Sequence, residues 1–194
     1  MEPSLLTSLY KQIITTVITV GSLFYSTING VRATLDPIQL ETDGNQVLVS
    51  TQLVNCYSDD FDEILSSGKR IYFHLNVKLY ETGVRQPVWE DEFFNAISYS
   101  HLDRIYEVYH SHTKEFLSNL TFDQAKRQLA SFSAIPIISM GELDPEKEYY
   151  LKITARLDKI YLEGMDEPIN LMFYWSGIPP EITSQPFTID MLNE

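Results

Sequence analysis

The chain has 194 residues, with 14 lysines and arginines against 27 aspartates and glutamates, for a formal net charge of −13. Such an acidic surface repels nucleic-acid phosphates and anionic lipid head groups. The basic doublets Lys69-Arg70 and Lys126-Arg127 are too short to form a counter-patch, so nucleic acid is excluded as a partner. Cys56 is the only cysteine, which excludes an intrachain disulfide.

The first element is an uncharged run, Gln12 to Val31, lying between Lys11 and Arg32. Its densest apolar stretch, Ile13 to Tyr25, has the length of a signal-peptide hydrophobic region, and Val31-Arg32-Ala33 places small or branched residues where a signal peptidase acts. About 20 residues of helix also span a bilayer. Thr15, Thr16, Thr19, Ser22, Ser26 and Thr27 dilute the apolar gain and tilt the reading toward cleavage after Ala33 rather than retention. The β-branched stretch Ile13 to Val20 would also suit an edge strand. The expectation is a signal peptide or N-terminal membrane anchor over residues 1–33, forming an apolar helix, and one β-sandwich domain over residues 34–194. The domain then lies outside the cytoplasmic membrane, in the periplasm, and touches the membrane only through residues 12–31 if these are uncleaved.

Strands dominate the rest of the chain. Ile38 to Thr42 and Gln46 to Tyr57 flank the turn signal Asp43-Gly44-Asn45 and predict a hairpin. Asp59 or Asp60 then caps a short helix that carries Phe61, Ile64 and Leu65 on one side and stops at Gly68. In Arg70 to Thr82, the apolar Ile71, Phe73, Leu75, Val77 and Leu79 alternate with Tyr72, His74, Asn76, Lys78 and Tyr80, the period of a half-buried strand. Val88 to Tyr99, Arg104 to His110 and Lys114 to Ser118 are further strands, the last two paired across Ser111-His112-Thr113.

Thr121 and Gln124 have the spacing of a capping box, and Phe122, Ala125, Leu129 and Phe132 share one face of a helix ending near Ser133 that should cover an open part of the sheet. Strands are then expected over Ala134 to Met140, Tyr149 to Asp158, Ile169 to Trp175 and Gln185 to Asp190. The sum is a mainly β fold, an antiparallel, immunoglobulin-like β-sandwich with one covering α-helix and one short helix.

The run Ile64-Leu65-Ser66-Ser67-Gly68-Lys69-Arg70-Ile71-Tyr72-Phe73, Trp89, the tyrosine strand around Tyr106 and Tyr109, the helix Thr121 to Leu129 and the strand ending Arg156-Leu157-Asp158 together resemble the bacterial domain-of-unknown-function 4390 family. The resemblance runs from about Leu40 to Ile189. It departs at Lys159-Ile160-Tyr161-Leu162, where the family carries a leucine-proline step. It implies a small exported or membrane-attached protein with no established activity.

Candidate site residues are few. His110 and His112, two apart on a strand, would present both imidazoles on one face as weak metal-ligand candidates. Glu90 and Glu92 beside Trp89 have the makings of a glycosidase pair but read better as a solvated face. Asp59, Asp60, Asp62 and Glu63 fit the positive end of a helix dipole. There is no nucleophile elbow and no glycine-rich phosphate loop, so no catalytic residue and no cofactor is expected.

Tyr72, Tyr80 and Tyr150 on polar strand phases, with Trp89, are the candidate binding face. The expected function is a non-catalytic interaction module of the bacterial envelope whose partner is another envelope protein. A small-ligand or carbohydrate binder using exposed aromatics is the alternative class, and a metal protein or enzyme the third.

Overall fold

The computed structural model describes residues 30–161 and 167–192. The predicted leader helix, residues 12–29 within it, lies outside the described residues. Among the described residues, no helix is long and apolar enough to cross a membrane.

The fold is mainly β and wholly antiparallel. The larger sheet has six strands in the order β12-β9-β4-β5-β6-β7: β12 is Glu181–Thr183, β9 Tyr149–Leu157, β4 Ile71–Glu81, β5 Pro87–Ser100, β6 Ile105–His110 and β7 Glu115–Leu120. In the smaller sheet β3 (Gln46–Val54) is central. It pairs with β1 (Thr34–Leu35) and β2 (Gln39–Asp43) and also with β8 (Ser131–Ser139). A two-stranded ladder joins β10 (Lys159–Ile160) to β11 (Ile169–Asn170).

The alternation read from the sequence fixes which face is buried. Ile71, Phe73, Leu75, Val77 and Leu79 of β4 and Leu151, Ile153 and Ala155 of β9 have no exposed surface, and they join Val47, Val49 and Leu53 of β3 in one core. Each of the larger of these side chains contributes about 1.5–3 kcal/mol by leaving water.

Helix α1 (Asp59–Leu65) buries Phe61, Ile64 and Leu65 as expected, but its cap is Ser58, which accepts from the Phe61 amide. Asp59 and Asp60 therefore lie within the first turn rather than at the cap. Gly68 follows at φ +80°, where a Cβ would also meet the His101 ring.

Helix α2 (Phe122–Ala130) carries the predicted capping box between Thr121 and Gln124. It ends at Ala130, three residues before the expected stop, because Ser131 turns to extended backbone and Phe132 enters the core from β8. The helix packs mainly on β5 and β6.

Two expected strands are corrected. Ile169 to Trp175 forms only the short β11 and then a 3₁₀ helix over Leu171–Trp175. Its three-residue turn puts Leu171 and Tyr174 on the core side together with Trp175, and three apolar residues so spaced cannot all lie on one strand face. Gln185 to Asp190 contributes only the Phe187 bridge to Tyr149 before helix α3 (Ile189–Leu192). The unforeseen strands are the two-residue β1 and β10 and the three-residue β12, all too short to show a hydrophobic period.

The packed body also includes residues that the sequence reading gave to the leader. The Val31 amide donates to the Tyr174 carbonyl at 2.9 Å, and Ser176 Oγ bonds the carbonyls of Gly30 and Val31. A Cβ at Gly30 would strike the Phe173 carbonyl, and Ala33 is buried. Gly30 to Ala33 are thus packed against the folded body.

Candidate functional site

Strand register sorts the candidate binding face. Tyr80 lies opposite Tyr150, and their rings stack at 5.2 Å with 9° between planes. Tyr72 shares their outer face at the far end of β4, eight residues along, roughly 27 Å away at the rise of a strand.

Trp89 does not belong with them. It is paired with Leu79, packs beside Phe93 at 6.4 Å and leans on the core, because its place in β5 puts it on the opposite face. The single platform of Tyr72, Tyr80, Tyr150 and Trp89 therefore does not form.

What the outer face holds instead is a line of rings across four strands. Tyr72 meets Phe94 edge-on at 5.5 Å, Phe94 is 5.9 Å from Tyr109, and Tyr109 is 5.2 Å from Phe116 on β7. Phe116 is 54% exposed, and its strand is the last of the sheet. Among the described strands β7 pairs only with β6, and Asn119, at φ 61°, interrupts its regular backbone after Ser118. Phe94 was legible as an aromatic on the same phase as Glu90 and Glu92. Phe116 was not, since nothing in a short segment says that its strand is an edge.

Between the Tyr80–Tyr150 stack and these rings lies an ionic knot. His74 Nδ1 is 3.0 Å from Glu92 and Nε2 is 2.9 Å from Asp158, while Arg156 bonds both carboxylates. Glu90 pairs with Lys78 at 2.9 Å. Glu90 and Glu92, read as a solvated face, are thus tied to cationic or imidazole partners. Asp62 of the acidic helix start likewise holds Lys126, whose ammonium also lies over the rings of Tyr57 and Phe122. Cys56 is buried, which pushes its thiol pKa up to about 12 and leaves it unreactive.

His110 and His112 do come together, with ring centroids 5.8 Å apart, in an open cavity of about 180 Å³ below the C-terminal end of α2. Only His110 lies on a strand. His112 lies in the β6–β7 turn. Asn95, fully buried on β5, donates through Nδ2 to the carbonyls of Gln128, Leu129 and Ser131, so its Oδ1 accepts from His110 Nδ1–H at 2.8 Å. His112 Nε2–H donates to the Ser133 carbonyl at 3.0 Å, and its Nδ1 is buried with no hydrogen-bond partner among the described residues.

Burial lowers the pKa of both rings, and their proximity lowers His112 further, against weaker opposing effects of Gln128 and Glu115 at His110 and of Ser133 and Glu115 at His112. Among the described residues no group of three or more His, Cys, Asp or Glu is placed to hold a metal ion.

Neither the curated proteins nor the solved structures contain a match to the chain. The family model described as a domain of unknown function, DUF4390, matches residues 32–162, well over half of the sequence, and the chain belongs to that family.

Proposed function

We propose that the protein is a non-catalytic interaction module of the bacterial envelope, which takes up an extended segment of an envelope partner along the free edge of β7. We read the two sheets as the layers of an immunoglobulin-like sandwich, exported or tethered by the N-terminal apolar segment. The packing of Gly30 to Ala33 favours the tethered form, or cleavage before Gly30, because cleavage after Ala33 would strip contacts from the folded body.

The observation that carries the reading is the β7 edge, which pairs with β6 alone among the described strands and ends a line of aromatic rings at the half-exposed Phe116. Natural sheets guard such edges with lysine, proline or a covering element, whereas Glu115 to Ser118 offer amides and carbonyls beside an apolar anchor. The partner is expected to be basic, complementing the net charge of −13.

A photo-crosslinking residue placed at Phe116 in living cells should give an adduct of discrete mass that is absent when the same group is placed at Thr183 on the opposite edge. Equal labelling at both positions, or none at Phe116, would sink the reading. Fractionation with sequencing of the mature amino terminus tests location. Untagged protein confined to the cytosol with Met1 intact would remove export.

A further inference from the structure

The cavity at His110 and His112 lies on the inner side of the β7 edge, and its chemistry is one-sided. Glu115 opens β7, is register partner to His110 and lines the cavity, while among the described residues no lysine or arginine does so. The end of α2 above it is the negative end of a helix dipole. The Ser133 carbonyl takes the Nε2–H of His112, so that neutral ring keeps a lone pair on Nδ1, whereas His110 is held by Asn95 at Nδ1 and has the Gln128 side chain as a further partner. The His112 Nδ1 is buried and unpartnered among the described residues. A buried acceptor without a donor is costly, and a ligand N–H that reached it on a small turn of the His112 ring would relieve it. Carboxylate, lone pair and a helix C-terminus all favour positive charge on that ligand.

We propose that this cavity receives a cationic side chain, guanidinium or ammonium, from the segment that adds to β7. The inference rests on strand addition at β7 and names the anchor of the added strand. Phe116 and Glu115 are adjacent in β7 and project to opposite faces, Phe116 opposite Tyr109 on the outer face and Glu115 opposite His110 on the inner one. A bound strand would set an apolar side chain on the aromatic line and could direct a basic one toward the cavity from its opposite face. The partner would then show a basic residue next to an apolar one.

The imidazole NMR signals of His110 and His112 in the full-length chain test this, with acetyl-arginine methylamide as the probe and acetyl-norleucine methylamide as its uncharged counterpart. The arginine probe should shift both rings at millimolar concentration and the norleucine probe neither. Glu115→Gln should weaken the arginine response about tenfold, the loss of one charge-assisted hydrogen bond. Silence toward arginine, or equal shifts from both probes, would overturn the proposal. A shift by zinc chloride at far lower concentration than by arginine would also overturn it, in favour of a metal. The Phe116 crosslink separates the two readings. If it persists while the arginine probe is silent, only the cationic anchor falls. If it is absent while arginine still shifts the rings, strand addition falls.

Discussion

His74 sits on the outer face of the six-stranded sheet with a carboxylate on each ring nitrogen, and Arg156 closes the group by binding both carboxylates. His110 and His112 sit on the inner side near the β7 edge, and there one ring nitrogen is buried with no partner. The first cluster is saturated and holds β4, β5 and the end of β9 in register. The second is left incomplete on one side, next to the β7 edge at which the aromatic line ends. Polar groups close up where strands must be tied together and stay open where something can enter, which is why the reading of function follows the second cluster.

The largest break in this contrast should come from the residue that builds the second cluster. Asn95→Ala removes the amide that satisfies three carbonyls at the end of α2 and frees His110 from its orienting bond. A loss of about 2–3 kcal/mol in urea unfolding is expected, since the Leu129 and Ser131 carbonyls lose this donor, whereas the Gln128 carbonyl keeps the Ser131 amide. A smaller loss is expected from His74→Ala, roughly 1–2 kcal/mol, because Glu92 and Asp158 are partly exposed and keep Arg156. If His74→Ala proved the costlier change, the ionic knot and not the Asn95 relay would be the main polar support of the sheet.

Acid sharpens the comparison further. His110 and His112 have lowered pKa values, so the unfolded chain takes up their protons first as pH falls below about 6.5. The stability tied to the neutral rings is complete above that pH and declines below it. The double variant His110→Gln with His112→Gln should lose less stability than the parent between about pH 7 and pH 5. An unchanged difference would show that burial does not hold these rings neutral. The smallest effect is expected from His112→Leu, within about 0.5 kcal/mol. It discards an unpartnered nitrogen and only one exposed hydrogen bond to Ser133.

Much of the fold was legible because its strands are long and two-faced. The alternation in β4 and β9, the Asp43-Gly44-Asn45 turn and the Thr121 to Gln124 capping box are local signals, and local backbone geometry enforces them. Leu171 to Trp175 was read as a strand because a dense apolar run has no period that separates strand from 3₁₀ turn until Phe61 and Phe73 supply its packing partners. Of the site, the nearness of His110 and His112 follows from their closeness in the chain, but not from a shared strand face, because His112 lies in the β6–β7 turn. The role of Asn95 was not legible, since its three carbonyl partners come from the end of a helix more than 30 residues away.

Residue type and neighbours along the chain suffice for the acidity, the uncharged N-terminal run, the two-faced strands and the family resemblance. Tertiary structure alone decided that Trp89 turns from Tyr72, that β7 is an edge and that a buried histidine nitrogen lies beside it. Those facts come from strand order and register, which are set by contacts between segments far apart in the chain.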